Sequence, residues 1–261
     1  MLGGLSRRRL RFAGCERPPP ATGSRMLDRL PDRDASAAAN MATDFLLLQH
    51  YPRATHARLR FYGWQRPAAT FGYSQPIAWV REQLAGDPPL ELIRRPTGGG
   101  IVDHRDDWTY ALVLPRGHPL ADARAADSYA AVHRVLAEVL TGQGVPARLA
   151  DACPPADAGP GRGPGVCFAR AECADVVRAD TGAKIAGAAQ KRSKHGLLLQ
   201  GSLWRPHVGP VDRLTWQDAF ATRLAALLDR EIRDTAFPAE WDEAVNALAE
   251  NYAAPEWNER R

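Results

Sequence analysis

RRPTGGGIVDH, residues 94–104, decides how this chain is read. Two arginines and a proline run into three consecutive glycines, and a β-branched pair and a histidine follow. Glycine inside an element costs up to about 1 kcal/mol relative to alanine. The stretch therefore needs a sharp turn or a ligand lying directly on the backbone. It is not a Walker A loop, which needs GxxxxGK[ST]. It is not a Rossmann fingerprint either, because a strand-like run, DWTYALVLP, follows it where a helix would have to open. Bare backbone N–H groups beside Arg94 and Arg95 suit a phosphate or a thin, extended ligand.

The flanks supply the elements. LELIRRP reads as a strand that delivers the glycines, and DWTYALVLP as a strand ended by Pro115. Upstream, SAAANMATDFLLLQHY predicts a helix capped by Ser36 and stopped by Pro52. ARLRFYGW alternates Leu59 and Phe61 against Arg58 and Arg60, the pattern of a strand with one wet face. ATFGYSQ is a second short strand, and IAWVREQLAG a helix closed by Gly86. Downstream, DSYAAVHRVLAEVLTGQG is the clearest helix. CADVVRADTGAKIAGAAQKR predicts two strands around a turn, and HGLLLQGSLW another strand. From Val211 onward the pattern is helical. The Pro/Gly-rich run at 151–168 has no period and reads as a loop. Strands in hairpin-like runs interleaved with helices indicate α+β, with a mixed, mainly antiparallel sheet and packed helices.

The bulk numbers bound the class. At 261 residues, 45% apolar and 25% charged, the chain is long enough for a buried core and has an ordinary globular composition. Net charge is +4 and pI about 9.0, a mild basicity that suits an acidic partner and lacks the dense basic block of a nucleic-acid binder. No apolar run is long enough to span a bilayer. Cys15, Cys153, Cys167 and Cys173 form no CxxC pair and no disulfide scaffold, so a reducing, cytoplasmic compartment is expected. Residues 1–33 read as a disordered tail, or as a start called too early with Met26 as the true one. Residues 34–261 then form a single domain.

RRPTGGGIVDH resembles the RRxxGGGxVxH motif of the lipoate–protein ligase and octanoyltransferase family, relatives of biotin protein ligase. Further segments resemble that family in order. These are NMATDFLL, RFYGW followed by FGYSQ, KIAGAAQKR, GSL and the terminal PEWNERR. The resemblance runs from about residue 34 to the end. It implies the catalytic-domain fold of the biotin and lipoate protein ligases. It also implies one kind of product, an eight-carbon acyl group in amide linkage to a lysine of a lipoyl carrier domain.

The resemblance also suggests a route, closest to the Bacillus-type cysteine octanoyltransferases. GPGVCFARAECADVV fits the place of their nucleophile, which makes Cys167 the candidate. A thiolate attacking an acyl carrier protein thioester exchanges one thioester for another, so no ATP is needed; a lysine amine then takes the acyl group. The family places the lysine of KIAG, Lys184, against the acyl carbonyl, where its charge would stabilise thiolate and oxyanion. Arg94, Arg95, Gly98, Gly99, Gly100, His104, Tyr73 and Gly187 are expected to bind or frame the substrate. The aromatics Phe61, Tyr62, Trp64 and Phe71 either wall an acyl tunnel or are core. KRSKH, residues 191–195, would suit an acidic partner.

Departures leave the route open. Ala171 and Cys173 stand where a proline and an aromatic are usual, Gln200 replaces a histidine, and Gly100 is ligase-like. The alternatives are an ATP- and Mg²⁺-dependent ligase that forms lipoyl-AMP, and a non-catalytic acyl-binding or lipoyl-domain-binding relative. For the transferase no cofactor and no metal are expected. The donor would be acyl carrier protein, and the acceptor a lipoyl domain of glycine cleavage H protein or a 2-oxoacid dehydrogenase E2. Neither nucleic acid nor membrane is expected as a partner, and the chain would act as a monomer.

Overall fold

Two strands buried on both faces organise the molecule. In a computed structural model, which describes residues 25–151 and 171–260, β7 (Asp107–Pro115) and β11 (Gly196–Trp204) pair antiparallel along their whole lengths. Their near-continuous apolar runs are explained by burial on both sides. Tyr110, Leu112, Leu114, Leu197 and Leu199 face one core; Ala111, Val113 and Leu198 face another.

The other elements follow in chain order. The first half holds β1 (Met26–Arg29), β2 (Arg33–Ala35), α1 (Ala37–Gln49), β3 (Ala57–Trp64), β4 (Ala68–Phe71), α2 (Ile77–Gln83), β5 (Glu91–Arg94) and β6 (Ile101–Asp103). After β7 come α3 (Pro119–Asp122), α4 (Ala125–Gly142), β8 (Ala147–Leu149), β9 (Val176–Arg178) and β10 (Lys184–Ser193). After β11 come α5 (Arg205–Val208), α6 (Arg213–Leu227), β12 (Glu231–Asp234), α7 (Trp241–Ala253) and α8 (Pro255–Asn258). The main sheet has the order β12-β1-β3-β7-β11-β10-β9-β8, with β2 beside β3. Pairing is antiparallel from β3 to β8 and parallel at β1 and β2. A small second sheet, β5-β4-β6, carries the glycine loop between β5 and β6. The expected mixed, mainly antiparallel α+β fold is what forms.

One face of the main sheet packs on α4 and α6 through Val132, Leu136, Leu140, Trp216, Phe220 and Leu224. The other packs on α1 and α7 through Met41, Leu47, Trp241 and Val245. Ser36 caps α1, its side chain accepting the Ala39 N–H at 3.2 Å. The small sheet has its own core of Ala69, Phe71, Val80 and Ile101, closed by α2.

Three local expectations change. The wet face predicted for β3 is dry: Arg58 and Arg60 are 2% and 1% exposed. The Arg60 Nε–H meets the Asp44 carboxylate of α1 at 2.6 Å, so the cation is buried with its own anion. Residues 26–33, read as tail, belong to the domain. β1 inserts between β12 and β3, and Leu27 is fully buried. With Asp28 also buried beside it, so short a strand shows no apolar alternation. β12, the parallel partner of β1, is likewise hidden inside the run read as helical. Of the loop read at 151–168, residues 152–168 lie outside the described residues.

Gly201, in the GSL segment, is explained by its neighbour across the sheet. It pairs with Tyr110, whose ring lies where a side chain would go; a Cβ there would sit 2.2 Å from the ring carbons. Gly201→Ala should therefore cost about 2 kcal/mol or more through overpacking. Gly142, at the end of α4, has open space around its missing Cβ. Gly142→Ala should be neutral or stabilising by a few tenths of a kcal/mol. Urea unfolding of both variants checks this; equal stabilities would refute the packing account.

Candidate active site

The glycine loop is shaped by three contacts. Gly99 has φ +89°, a conformation that favours glycine. Its carbonyl passes so close to Gly72 that a Cβ on Gly72 would lie 2.0 Å from it. The loop is stitched to the strand end by Gly72 N–H to Gly100 O at 3.1 Å and Tyr73 N–H to Thr97 O at 2.8 Å. Arg95 props it from beneath: Nη2 donates to Gly98 O at 2.5 Å, and Nη1 to Thr70 O at 3.1 Å. A Cβ on Gly98 would meet nothing within 4 Å. Among the described residues, nothing at that position requires glycine.

Arg94 points the other way. The side chain is buried, and Nε donates to Trp257 O at 3.0 Å. Nη1 donates to Tyr73 O and Gln75 O at 2.6 and 2.8 Å, and Nη2 to Asn258 O and Arg260 O at 2.7 and 2.9 Å. A guanidinium has five N–H donors. All five close on main-chain carbonyls, and Asn258 Oδ1 returns a bond from the Arg94 N–H at 2.8 Å. Expected as a substrate-binding residue, Arg94 instead clamps the C-terminal WNER to the loop. Burial lowers its pKa, with Arg260 adding to the effect.

His104 is also enclosed. Its Nδ1 meets Asp107 Oδ2 at 2.7 Å, its Nε2 meets Thr70 Oγ1 at 2.9 Å, and Trp64 stacks on the ring at 3.9 Å. Asp107 also accepts from Thr109 Oγ1 and Ser202 Oγ. Thr70 Oγ1 also accepts from Arg95 Nη1 at 3.3 Å. The histidine braces β6 and β7 under the loop. Phe61, Tyr62 and Phe71 are core, whereas Tyr73 is 46% exposed at the rim. The Arg260 guanidinium lies over its ring at 4.0 Å, and Lys191 of KRSKH at 5.4 Å.

A buried chain joins the loop to the main sheet. Thr97 Oγ1 donates to Gln200 Oε1 at 2.8 Å, and Gln200 Nε2 donates to Asp44 Oδ2 at 2.6 Å. Gln200 pairs with Ala189 of β10, and the Cβ position of Gly99 lies 4.0 Å from that alanine's Cβ. The glycine loop and the KIAG strand thus share one side of the molecule. Neither Asp44 nor Thr97 was legible as part of the site.

Lys184 begins β10. Its side chain is 5% exposed, and Nζ lies 2.8 Å from Asp175 Oδ2. A register shift between Lys184 and Ala186 bends the strand there. Gly187 does make a close approach, but to the lysine itself: a Cβ would lie 2.8 Å from Lys184 Cε and 2.9 Å from Nζ. Asp175 follows a tight turn in which Ala174 has φ +61°. His133 of α4 donates Nδ1–H to the Ala174 carbonyl at 2.7 Å, and Tyr129 of the same helix donates its hydroxyl to Asp175. These three residues were missed by the sequence reading. The available signal was an acid at the start of the hairpin strand paired with the motif lysine.

Cys173, expected to be a packed thiol, is exposed on this turn and is in a disulfide whose partner lies outside the described residues. Cys167 is also outside them. An open groove of about 530 Å³ between β1, β12 and α6 is lined by Arg29, Asp32, Leu214 and Asp218. Phe61 of RFYGW lines it, but no residue of the glycine loop or of KIAG does. Among the described residues no helix is long and apolar enough to cross a membrane.

Comparison with known proteins fits this geometry. The family model described as the lipoyl protein ligase A/B catalytic domain matches residues 36–205. Octanoyltransferase LipM of Halalkalibacterium halodurans is 29% identical over 212 residues, 78% of this chain and 75% of that protein. The LipM of Symbiobacterium thermophilum is 30% identical over 238 residues, 82% of this chain and 80% of that protein. For the Moorella thermoacetica LipM the identity is 32% over 191 residues, 70% of this chain but 63% of that protein. Among solved structures, lipoate-protein ligase A bound with ATP superposes with a TM-score of 0.67 at 18% identity, covering 90% of this chain and 98% of that one. The bipartite lipoate protein ligase of Thermoplasma acidophilum, studied with its E2 lipoyl domain, gives 0.66 at 17% identity, covering 91% and 97%. At those identities the structures speak for the fold.

The turn beside Lys184 makes stability depend on pH. Burial drives the His133 pKa from 6.5 down to about 4, although Asp175 and the Ala174 carbonyl pull upward. Above pH 6.5 the imidazole is neutral in both folded and unfolded chains. Below it the unfolded chain takes up a proton that the folded chain refuses until about pH 4. Stability from this group is therefore full above pH 6.5 and falls by roughly 3 kcal/mol as the pH drops to about 4. His133→Gln, which keeps an N–H donor, should flatten that slope in urea unfolding at graded pH. Parallel slopes in the two proteins would refute it.

Proposed function

The chain belongs to the lipoyl protein ligase A/B catalytic-domain family, and we propose that it is an octanoyltransferase of protein lipoylation that works through an enzyme thioester. The observation that carries this reading is the buried Lys184 ammonium, ion-paired at 2.8 Å on a strand overlain by an open glycine loop. The LipM octanoyltransferases it resembles support the same reaction class. Gly98 offers bare backbone to an extended acyl chain, with Gly99, Gly100 and Tyr73 at the rim. Arg95 acts from below by holding the Gly98 carbonyl. Arg94 and His104 keep the loop in shape.

In this reading the Cys167 thiolate attacks the thioester carbonyl of octanoyl-acyl carrier protein. The carrier's thiolate leaves, and the octanoyl group is held as a thioester on the enzyme. The neutral amine of an acceptor lysine then attacks that carbonyl. The Cys167 thiolate leaves, the amine proton passes to solvent, and an amide remains. Lys184 stabilises the oxyanion formed in each step. Acyl transfer to an amine is downhill from a thioester, so ATP has no part in it. The acceptor is the lysine of a lipoyl domain, from glycine cleavage H protein or a 2-oxoacid dehydrogenase E2. The enzyme acts as a monomer in the cytoplasm, where the thiol pool would open an exposed disulfide such as that of Cys173.

Intact mass of the reduced protein after mixing with octanoyl-acyl carrier protein, without ATP, tests the route. One octanoyl adduct is expected on the wild-type chain and none on Cys167→Ala. An adduct that persists in Cys167→Ala would remove Cys167 as nucleophile. No adduct, with lipoyl-AMP formed on adding ATP, would make the chain a ligase.

A further inference from the structure

The carboxylate that meets Lys184 is held more tightly than an ordinary ion pair requires. Asp175 is 1% exposed. Its Oδ1 accepts from the Tyr129 hydroxyl. Its Oδ2 accepts from Lys184 Nζ at 2.8 Å and from the Glu172 N–H at 2.6 Å. The Tyr129 hydroxyl in turn accepts from the Ala188 N–H at 3.0 Å. It therefore ties the carboxylate to the strand that carries the lysine. The backbone of Asp175 is fixed as well: its N–H donates to Glu172 O at 3.0 Å, and its carbonyl accepts from Ala150 at 2.8 Å. The turn before it includes the left-handed Ala174, a strained conformation that surrounding contacts must hold.

From this arrangement we infer that Asp175 is the positioning residue of Lys184, keeping the ammonium charged and aimed while Tyr129 and the 172–175 turn hold the carboxylate. The inference rests on the role given to Lys184 above. At 5% exposure an ammonium without a counter-charge would shed its proton. It would then be useless for stabilising an oxyanion. Asp175 takes one of its three N–H groups and so sets the direction of the other two. Gly187 makes room for the pair: a Cβ there would lie 2.8 Å from Lys184 Cε and 3.3 Å from Asp175 Oδ1.

The titratable groups that face the ammonium among the described residues are few. Asp175 comes from the turn before β9, and Tyr129 and His133 come from α4. His133 stays neutral above about pH 4, so it does not compete. Glu172 offers the turn its N–H. His207 of α5 meets the Lys184 main-chain carbonyl at 2.8 Å, away from the ammonium. Among the described residues, Asp175 is the carboxylate paired with the Lys184 ammonium.

The chain has only three lysines, Lys184, Lys191 and Lys194, so each is resolvable by NMR of the full, reduced protein labelled with ¹³Cε-lysine. In Asp175→Asn the titration midpoint of Lys184 should fall by about one pH unit or more, with Lys191 and Lys194 unmoved. The alkaline limb of the transfer rate should fall by the same amount, kcat should drop about tenfold or more, and KM for the lipoyl domain should stay the same. Asp175→Glu should restore most of the midpoint, and Tyr129→Phe should shift it in the same direction by less. An unmoved Lys184 midpoint in folded Asp175→Asn overturns the inference. If Asp175→Asn does not fold, an unmoved midpoint in Tyr129→Phe overturns it instead. The midpoint is read whether or not octanoyl is transferred. A chain that titrates as predicted but transfers nothing would refute the proposed reaction and leave this inference standing.

Discussion

The buried carboxylate of Asp44 is the constraint on which the rest of the structure depends. It sits on α1, fully enclosed, and accepts from Arg60 at 2.6 Å, Tyr62 at 2.9 Å and Gln200 at 2.6 Å. Those partners come from β3 and β11, so one charge ties the helix to two strands of the main sheet. Gln200 carries the link onward to Thr97 at the entrance of the glycine loop. A buried charge left without partners costs several kcal/mol. Packing of α1, register of β11 and placement of the loop are therefore settled together.

The same economy runs through the site. Arginines that look like ligand cations from the sequence are structural: Arg94 grips the C-terminal segment, and Arg95 supports the Gly98 carbonyl. The glycines divide the work. Gly72, Gly187 and Gly201 make room for parts of the protein itself, while Gly98 has nothing in front of it. Lys184 is a buried ammonium paired with Asp175 on the strand whose Ala189 meets the loop at Gly99.

Much of this was legible in the sequence where the cause is local. Ser36 marks a helix start because capping is a one-turn affair, whereas α4 and α7 begin without a side-chain cap and show only their periodicity. β9 and β10 were readable as two strands around a turn. β1 and β12 were not, since Met26 pairs with Glu231 across almost the whole chain, and four-residue strands leave no periodic trace. The split into two sheets was equally hidden. RRPTGGG and KIAG were readable as motifs, yet their division of labour was not. Three of the five carbonyls that occupy Arg94 come from the C-terminal segment, 163 residues or more away. Asp175 was silent for a similar reason: a lone aspartate gains meaning only from the hairpin register that sets it against Lys184.

Lys184 is proposed to support acyl transfer without ATP. The most direct test is intact mass of a lipoyl domain incubated with octanoyl-acyl carrier protein and the reduced enzyme, ATP absent, for wild type and Lys184→Met. One octanoyl group is expected on the acceptor with the wild-type chain, and none with a folded Lys184→Met variant. An acceptor modified equally by both proteins, or only once ATP is supplied, would contradict it.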